Sequence, residues 1–131
     1  MANYFHLNIY KKTYDFTVYF GQVLRHYPRE YRYTLGEKVL DAMFELVAFI
    51  YKANNEKIAI DRLKQLNDMS LKLQYVNVAL RLSHSLKCLS NDRYIKCSEF
   101  IEDVEKQLTG WITYTEKQAQ KKEETQNGEK V

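Results

Sequence analysis

Proline occurs once in these 131 residues and glycine four times. Turn-rich β architectures draw on both residues for their corners, so their scarcity favours long helices joined by few, short connections. Gly21, Gly36, Gly110 and Gly128 stand singly, which leaves no glycine-rich phosphate loop. Cysteine is as scarce: Cys88 and Cys97 lie nine residues apart with no cysteine or histidine at metal-binding spacing. Both are expected as free thiols in a reducing compartment. No apolar run approaches the ~20 residues of a membrane span, and Met1-Ala2-Asn3-Tyr4 lacks the basic and apolar regions of a leader peptide. A soluble, cytoplasmic protein with no membrane partner is therefore expected.

Catalytic constellations are missing as well. His6, His26 and His84 are solitary, and none follows a glutamate by three residues as a di-iron helical bundle requires. Glu99, Glu102, Asp103 and Glu105 cluster in sequence, but acids grouped on one helix read as a solvated face. No metal, cofactor or enzymatic activity is expected.

What the chain does hold is helical periodicity. A first helix is expected from about Phe5 to His26, with Tyr14, Tyr19, Phe20, Val23, Leu24 and Tyr27 as its apolar side. A second runs from Leu35 to about Ala53, where Leu35, Val39, Ala42, Met43, Leu46, Val47 and Ile50 recur at three- and four-residue steps. Asn54-Asn55 reads as its stop and as the cap of a third helix, about Glu56 to Ser85, striped by Leu63, Leu66, Met69, Leu73, Val76 and Leu80. Ser90-Asn91-Asp92 opens a fourth, carried by Cys97, Phe100, Ile101, Val104, Leu108, Trp111 and Ile112. Each stripe reads as one-sided, and short connections impose antiparallel neighbours. The expected fold is all-α, an up-down-up-down four-helix bundle over residues 1–116, with a polar, disordered tail over 117–131.

The corner between the first two helices holds the sole proline, in Tyr27-Pro28-Arg29-Glu30-Tyr31-Arg32-Tyr33-Thr34-Leu35-Gly36. Proline cannot continue a helix, and Thr34 followed by Glu37 has capping-box spacing. Charge is unevenly spread although the net value is only +3. Residues 1–36 carry +3 and 57–87 carry +4, against −2 in each of 37–56 and 88–115; the tail is neutral. Within the third helix Arg62, Lys64, Lys72, Arg81 and Lys87 point widely around the axis, giving no simple nucleic-acid face. Arg81 sits at the margin of the core stripe and calls for either an acidic partner or a phosphate. Of the eleven tyrosines, seven fall among the first 33 residues. They suit packing and subunit contacts, or the stacking of unpaired bases.

The Tyr27-to-Gly36 corner, the second helix through Ala53, the Leu80-Arg81 step and the ending Leu108-Thr109-Gly110-Trp111-Ile112 together resemble the accessory variability determinant (Avd) family of diversity-generating retroelements. These are four-helix-bundle proteins related to those encoded by ribosomal-RNA intervening sequences, and the resemblance covers roughly residues 10–116. It implies a homopentameric barrel that binds the element's reverse transcriptase and template RNA and supports mutagenic cDNA synthesis. On that reading Arg29, Arg32 and Arg81, with Arg25 and Lys87, are the residues that engage the polymerase or RNA. Where strongly basic relatives carry a further arginine one turn after the Leu-Arg step, this chain has Ser85. The alternative is a scaffold of the intervening-sequence type without a polymerase partner.

Overall fold

Along the first helix and the turn after it, Ile9, Thr13, Phe16, Phe20, Val23 and Tyr27 are all buried, at alternating steps of four and three residues. That spacing draws one stripe along the inner side of α1 (Asn3–Leu24). The computed structural model describes residues 3–129, with side chains over 8–125. Three further long helices follow: α2 (Glu37–Asn55), α3 (Ala59–Ser85) and α4 (Asn91–Glu129). Chain neighbours pack against each other and α4 returns to α1, closing a four-cornered bundle. Its centre is held by Met43, Leu46, Leu66, Met69, Leu73, Leu80 and Trp111, all sealed from solvent. Phe16 stacks on the Phe100 ring at 5.1 Å, and Phe20 meets Tyr27 edge-on at 5.8 Å. Among the described residues two ion pairs bridge neighbouring helices, Lys12 to Asp103 at 3.4 Å and Lys72 to Glu45 at 3.1 Å. At this exposure each contributes under about 1 kcal/mol, so the bundle rests on its apolar core.

The corner is built differently from the expected capping box. Helical backbone resumes at Arg29, not Leu35: the Pro28 carbonyl accepts from the Tyr31 and Arg32 N–H groups, both at 2.9 Å. The missing proline donor is harmless there, because the first N–H groups of a helix have no intrahelical partner. Thr34 is already inside the helix, where its hydroxyl donates to the Glu30 carbonyl at 3.1 Å, and no side chain caps the start of α2. Arg32–Gly36 forms a π-helical turn that runs into α2. Gly36 at its end is buried, and a Cβ there would collide with the Leu24 side chain and press on Tyr27. Glycine there leaves room for the end of the Leu24 side chain and the Tyr27 ring.

Three other expectations change. Asn55 does not cap α3, which starts at Ala59 behind Ile58 with no side-chain cap; the Glu56 carboxylate accepts the N–H of Ile58 itself at 3.3 Å. Tyr14 is exposed and belongs to the outer side of α1. The last helix, whose polar tail over 117–131 was expected to be disordered, continues to Glu129. Residues 117–124, rich in Lys, Gln, Ala and Glu, are strong helix formers that need no core to favour this conformation. Lys130 and Val131 of the expected tail, and the His6 side chain, lie outside the described residues.

No helix among the described residues is long and apolar enough to cross a membrane. Cys88 and Cys97 are free and buried.

Candidate partner-binding surface

Antiparallel topology gathers the sequence's two basic regions at one end. α1 runs toward the corner, α2 away from it, α3 back and α4 away again, so the Pro28 corner and the α3–α4 connection are adjacent. Arg25, Arg29, Arg81 and Lys87 are exposed at or near this end. Arg32 is half-buried and partly committed: its Nη2 donates to the Arg25 and Tyr27 carbonyls at 3.1 and 3.2 Å. A guanidinium in that place satisfies orphan carbonyls and suits the negative end of the α1 dipole. Arg81 has no carboxylate partner within the chain among the described residues, so the acidic partner that the sequence allowed for does not come from a neighbouring helix.

Lys87 has the left-handed backbone, φ 63°, the sole non-glycine residue with positive φ among those described. Its N–H donates to the His84 carbonyl at 3.0 Å and the next, Cys88, to Ser83 at 2.8 Å. These two bonds are the Schellman closure of a helix end, in which glycine usually takes the position that lysine holds here. Ser90 then opens α4, its hydroxyl accepting the Arg93 N–H at 3.3 Å. Between corner and connection lies a cleft of about 830 Å³ lined by His26, His84, Lys87, Asn91 and Arg93 among others. Its wall is ordered by His84, which bonds the Asn91 Oδ1 at 2.7 Å and stacks on Tyr94 at 4.4 Å.

Beneath this end the reactive groups are silenced. Burial pushes the Cys97 thiol up to about 12. Burial, and secondarily the Glu30 carboxylate, raises Cys88. Burial also raises the Tyr27 phenol. A thiol held protonated is neither nucleophile nor metal ligand. Among the described residues no three His, Cys, Asp or Glu side chains converge as a metal site. Two of the α4 carboxylates have structural contacts: Asp103 pairs with Lys12, and Glu105 accepts from Gln74 at 3.0 Å. Such an end can attract anionic or carboxylate-bearing partners.

Two apolar faces complete the surface. Tyr10, Tyr14, Val18, Phe44 and Val47 line a groove of about 300 Å³ between α1 and α2, with Phe44 72% exposed. On α3, Leu71, Tyr75, Val78 and Leu82 form a ridge at steps of four, three and four, and Leu71 is 71% exposed. At 100° per residue this ridge lies opposite the buried Leu66-Met69-Leu73-Val76-Leu80 stripe. α3 is therefore apolar on two sides, and the expectation that every helix has a single stripe fails for it. Contiguous exposed apolar surface of this kind marks an interaction site.

The structure thus brings Arg25, Arg29, Arg32 and Lys87 to one end, with Arg81 close by. It adds Arg93, which the sequence reading passed over, His26, which it read as solitary, and the two apolar faces. The α3 ridge was legible as a second heptad set in the sequence; the groove was not, because it needs two helices side by side.

A family model described as bAvd-like matches residues 7–115 of the chain. Among curated proteins none matches.

Proposed function

The chain belongs to the bAvd-like family, and from that premise we propose that it is a non-catalytic accessory subunit of a diversity-generating retroelement. It assembles as a cytoplasmic homopentameric ring that binds the element's reverse transcriptase and template RNA and supports mutagenic cDNA synthesis. The observation that carries this reading is that two unlike apolar faces, the α1–α2 groove and the α3 ridge, are exposed on one chain. Unlike faces that pair head to tail give a heterologous contact, and such contacts close into rings when the rotation allows.

Cyclic symmetry has an electrostatic consequence. All copies point the same way, so every Arg25, Arg29, Arg32, Arg81 and Lys87 lies toward a single rim. Repeated positive charge raises the local concentration of phosphates and carboxylates, and repeated weak contacts gain avidity when one partner spans several copies. Tyr33, exposed beside Arg32, offers a face on which an unpaired base stacks.

The test is light scattering on the full chain, then capture of the co-expressed reverse transcriptase by parent and variants. Leu71→Asp with Val78→Asp is expected to give folded monomer that captures no polymerase. Arg29→Gln with Arg81→Gln is expected to keep the ring, lose polymerase, and flatten the salt dependence of RNA binding by roughly 0.7 per lost phosphate contact. A parent chain that is monomeric at micromolar concentration, or arginine variants that retain all binding, would refute the reading.

A further inference from the structure

The opposite end of the bundle holds a buried cation. Arg62, in the first turn of α3, is only 7% exposed. Its Nε and Nη2 donate to the Glu56 carbonyl at 3.0 and 2.6 Å, and its Nη1 to the Gln118 Oε1 at 2.9 Å. Every one of these partners is neutral. Among the described residues no carboxylate pairs with Arg62, so a full positive charge is withdrawn from water without a counter-charge. Buried guanidinium groups are ordinarily paired, because an uncompensated charge is expensive to desolvate.

The surroundings add to that charge. Arg62 lines a cavity of about 470 Å³ whose wall also includes Lys57, Gln118, Lys121 and Lys122. The three lysines are exposed at the rim, and none has an ion-pair partner among the described residues. Of the nearby acids, Glu56 has its carboxylate on the Ile58 N–H, and Glu123 lines an adjoining cavity with Ile58, Ile60 and Lys122. The continuation of α4 beyond residue 116 is what supplies Gln118, Lys121 and Lys122. A planar guanidinium with two N–H groups still available, behind a ring of mobile ammonium groups, is the donor set that receives a tetrahedral oxyanion.

We propose that this cavity between the α2–α3 connection and the extension of α4 is a phosphate-binding site, in which Arg62 holds the group and Lys57, Lys121 and Lys122 close over it. The ligand is the phosphate itself, carried by a free phosphomonoester or by the backbone of a single-stranded RNA. The site lies at the end away from the Pro28 corner and does not rest on polymerase binding.

The experiment is thermal unfolding of the full chain in inorganic phosphate against chloride at matched ionic strength, in parallel with titration of a single-stranded RNA oligonucleotide. The parent midpoint is expected to rise by about 3–5 °C when phosphate stands about tenfold above its dissociation constant. Lys121→Gln with Lys122→Gln, both exposed, is expected to leave the unliganded midpoint within about 1 °C and remove most of that rise. Arg62→Met unties the Glu56 connection and lowers the unliganded midpoint as well, which makes the lysine pair the deciding variant. Loss of the phosphate shift in that pair supports a free phosphate. Loss of oligonucleotide affinity in that pair, with inorganic phosphate displacing the oligonucleotide from the parent, supports the RNA backbone. A parent that responds alike to phosphate and chloride, with oligonucleotide affinity equal in parent and variant, overturns the proposal. So does a lysine variant in which the phosphate shift and the oligonucleotide affinity both survive.

Discussion

The two sides of α3 are nearly matched in sequence and opposite in fate. Leu66, Met69, Leu73, Val76 and Leu80 are sealed in the core, while Leu71, Tyr75, Val78 and Leu82, on the same helix with the same heptad spacing, face outward. Hydrophobicity therefore does not say which stripe builds the fold and which awaits a partner. Position relative to the three other helices says it. Both stripes follow the same physical rule, the removal of apolar surface from water, and they differ in whether the covering atoms come from this chain.

Four measurements would break or sharpen that contrast. The largest effect is expected from leucine truncation on the inner side. Leu73→Ala should lower unfolding free energy by about 2–5 kcal/mol in urea, through lost transfer energy and the cavity left behind. Leu71→Ala, two residues away, should change the protomer's own stability by no more than about 0.5 kcal/mol and act instead on the concentration dependence of assembly. Equal losses from both would erase the distinction.

The corner tests close packing at the boundary of the two regions. Gly36→Val drives side-chain atoms into Leu24 and Tyr27, and overpacking of this kind costs about 1–3 kcal/mol. An unchanged melting midpoint would show that α1 and α2 part readily at this point.

A pH series addresses the groups beneath the basic end. Cys97 has its pKa raised from 9.0 to about 12 by burial, so the native state keeps a proton that the unfolded chain gives up. Its contribution is fully present below pH 9 and is lost as pH rises toward 12; by pH 10.5 the loss is on the order of 1–2 kcal/mol. Urea midpoints between pH 8 and 10.5 should fall in the parent and fall less in Cys97→Ala. Tyr27, also raised by burial, is expected to sustain a residual decline in that variant.

The smallest effect is of opposite sign. Lys87→Gly relieves a left-handed lysine and should stabilise the protomer by about 1 kcal/mol, since only glycine adopts that conformation without a Cβ penalty. If the same variant weakens partner binding, the Lys87 ammonium belongs to the binding surface; if binding is unaffected, Lys87 is a tolerated imperfection of the helix end.

Sequence alone determined the helical class, because alternating three- and four-residue spacing, with one proline and four glycines, leaves little room for strands. It determined the order of four long helices and the place of the corner, since proline's missing donor acts through local geometry. The family likeness was legible too, in motifs spread over nearly the span that the bAvd-like model matches. Tertiary structure decided what depends on neighbours distant in the chain. Arg32 reads as a surface cation and is half engaged on the end of α1. Arg62 reads as one more scattered charge, and its burial follows from Glu56 and from Gln118, 56 residues away. Local spacing is written in consecutive residues, whereas burial, pairing and the meeting of two helices in a groove are set only when the chain returns on itself.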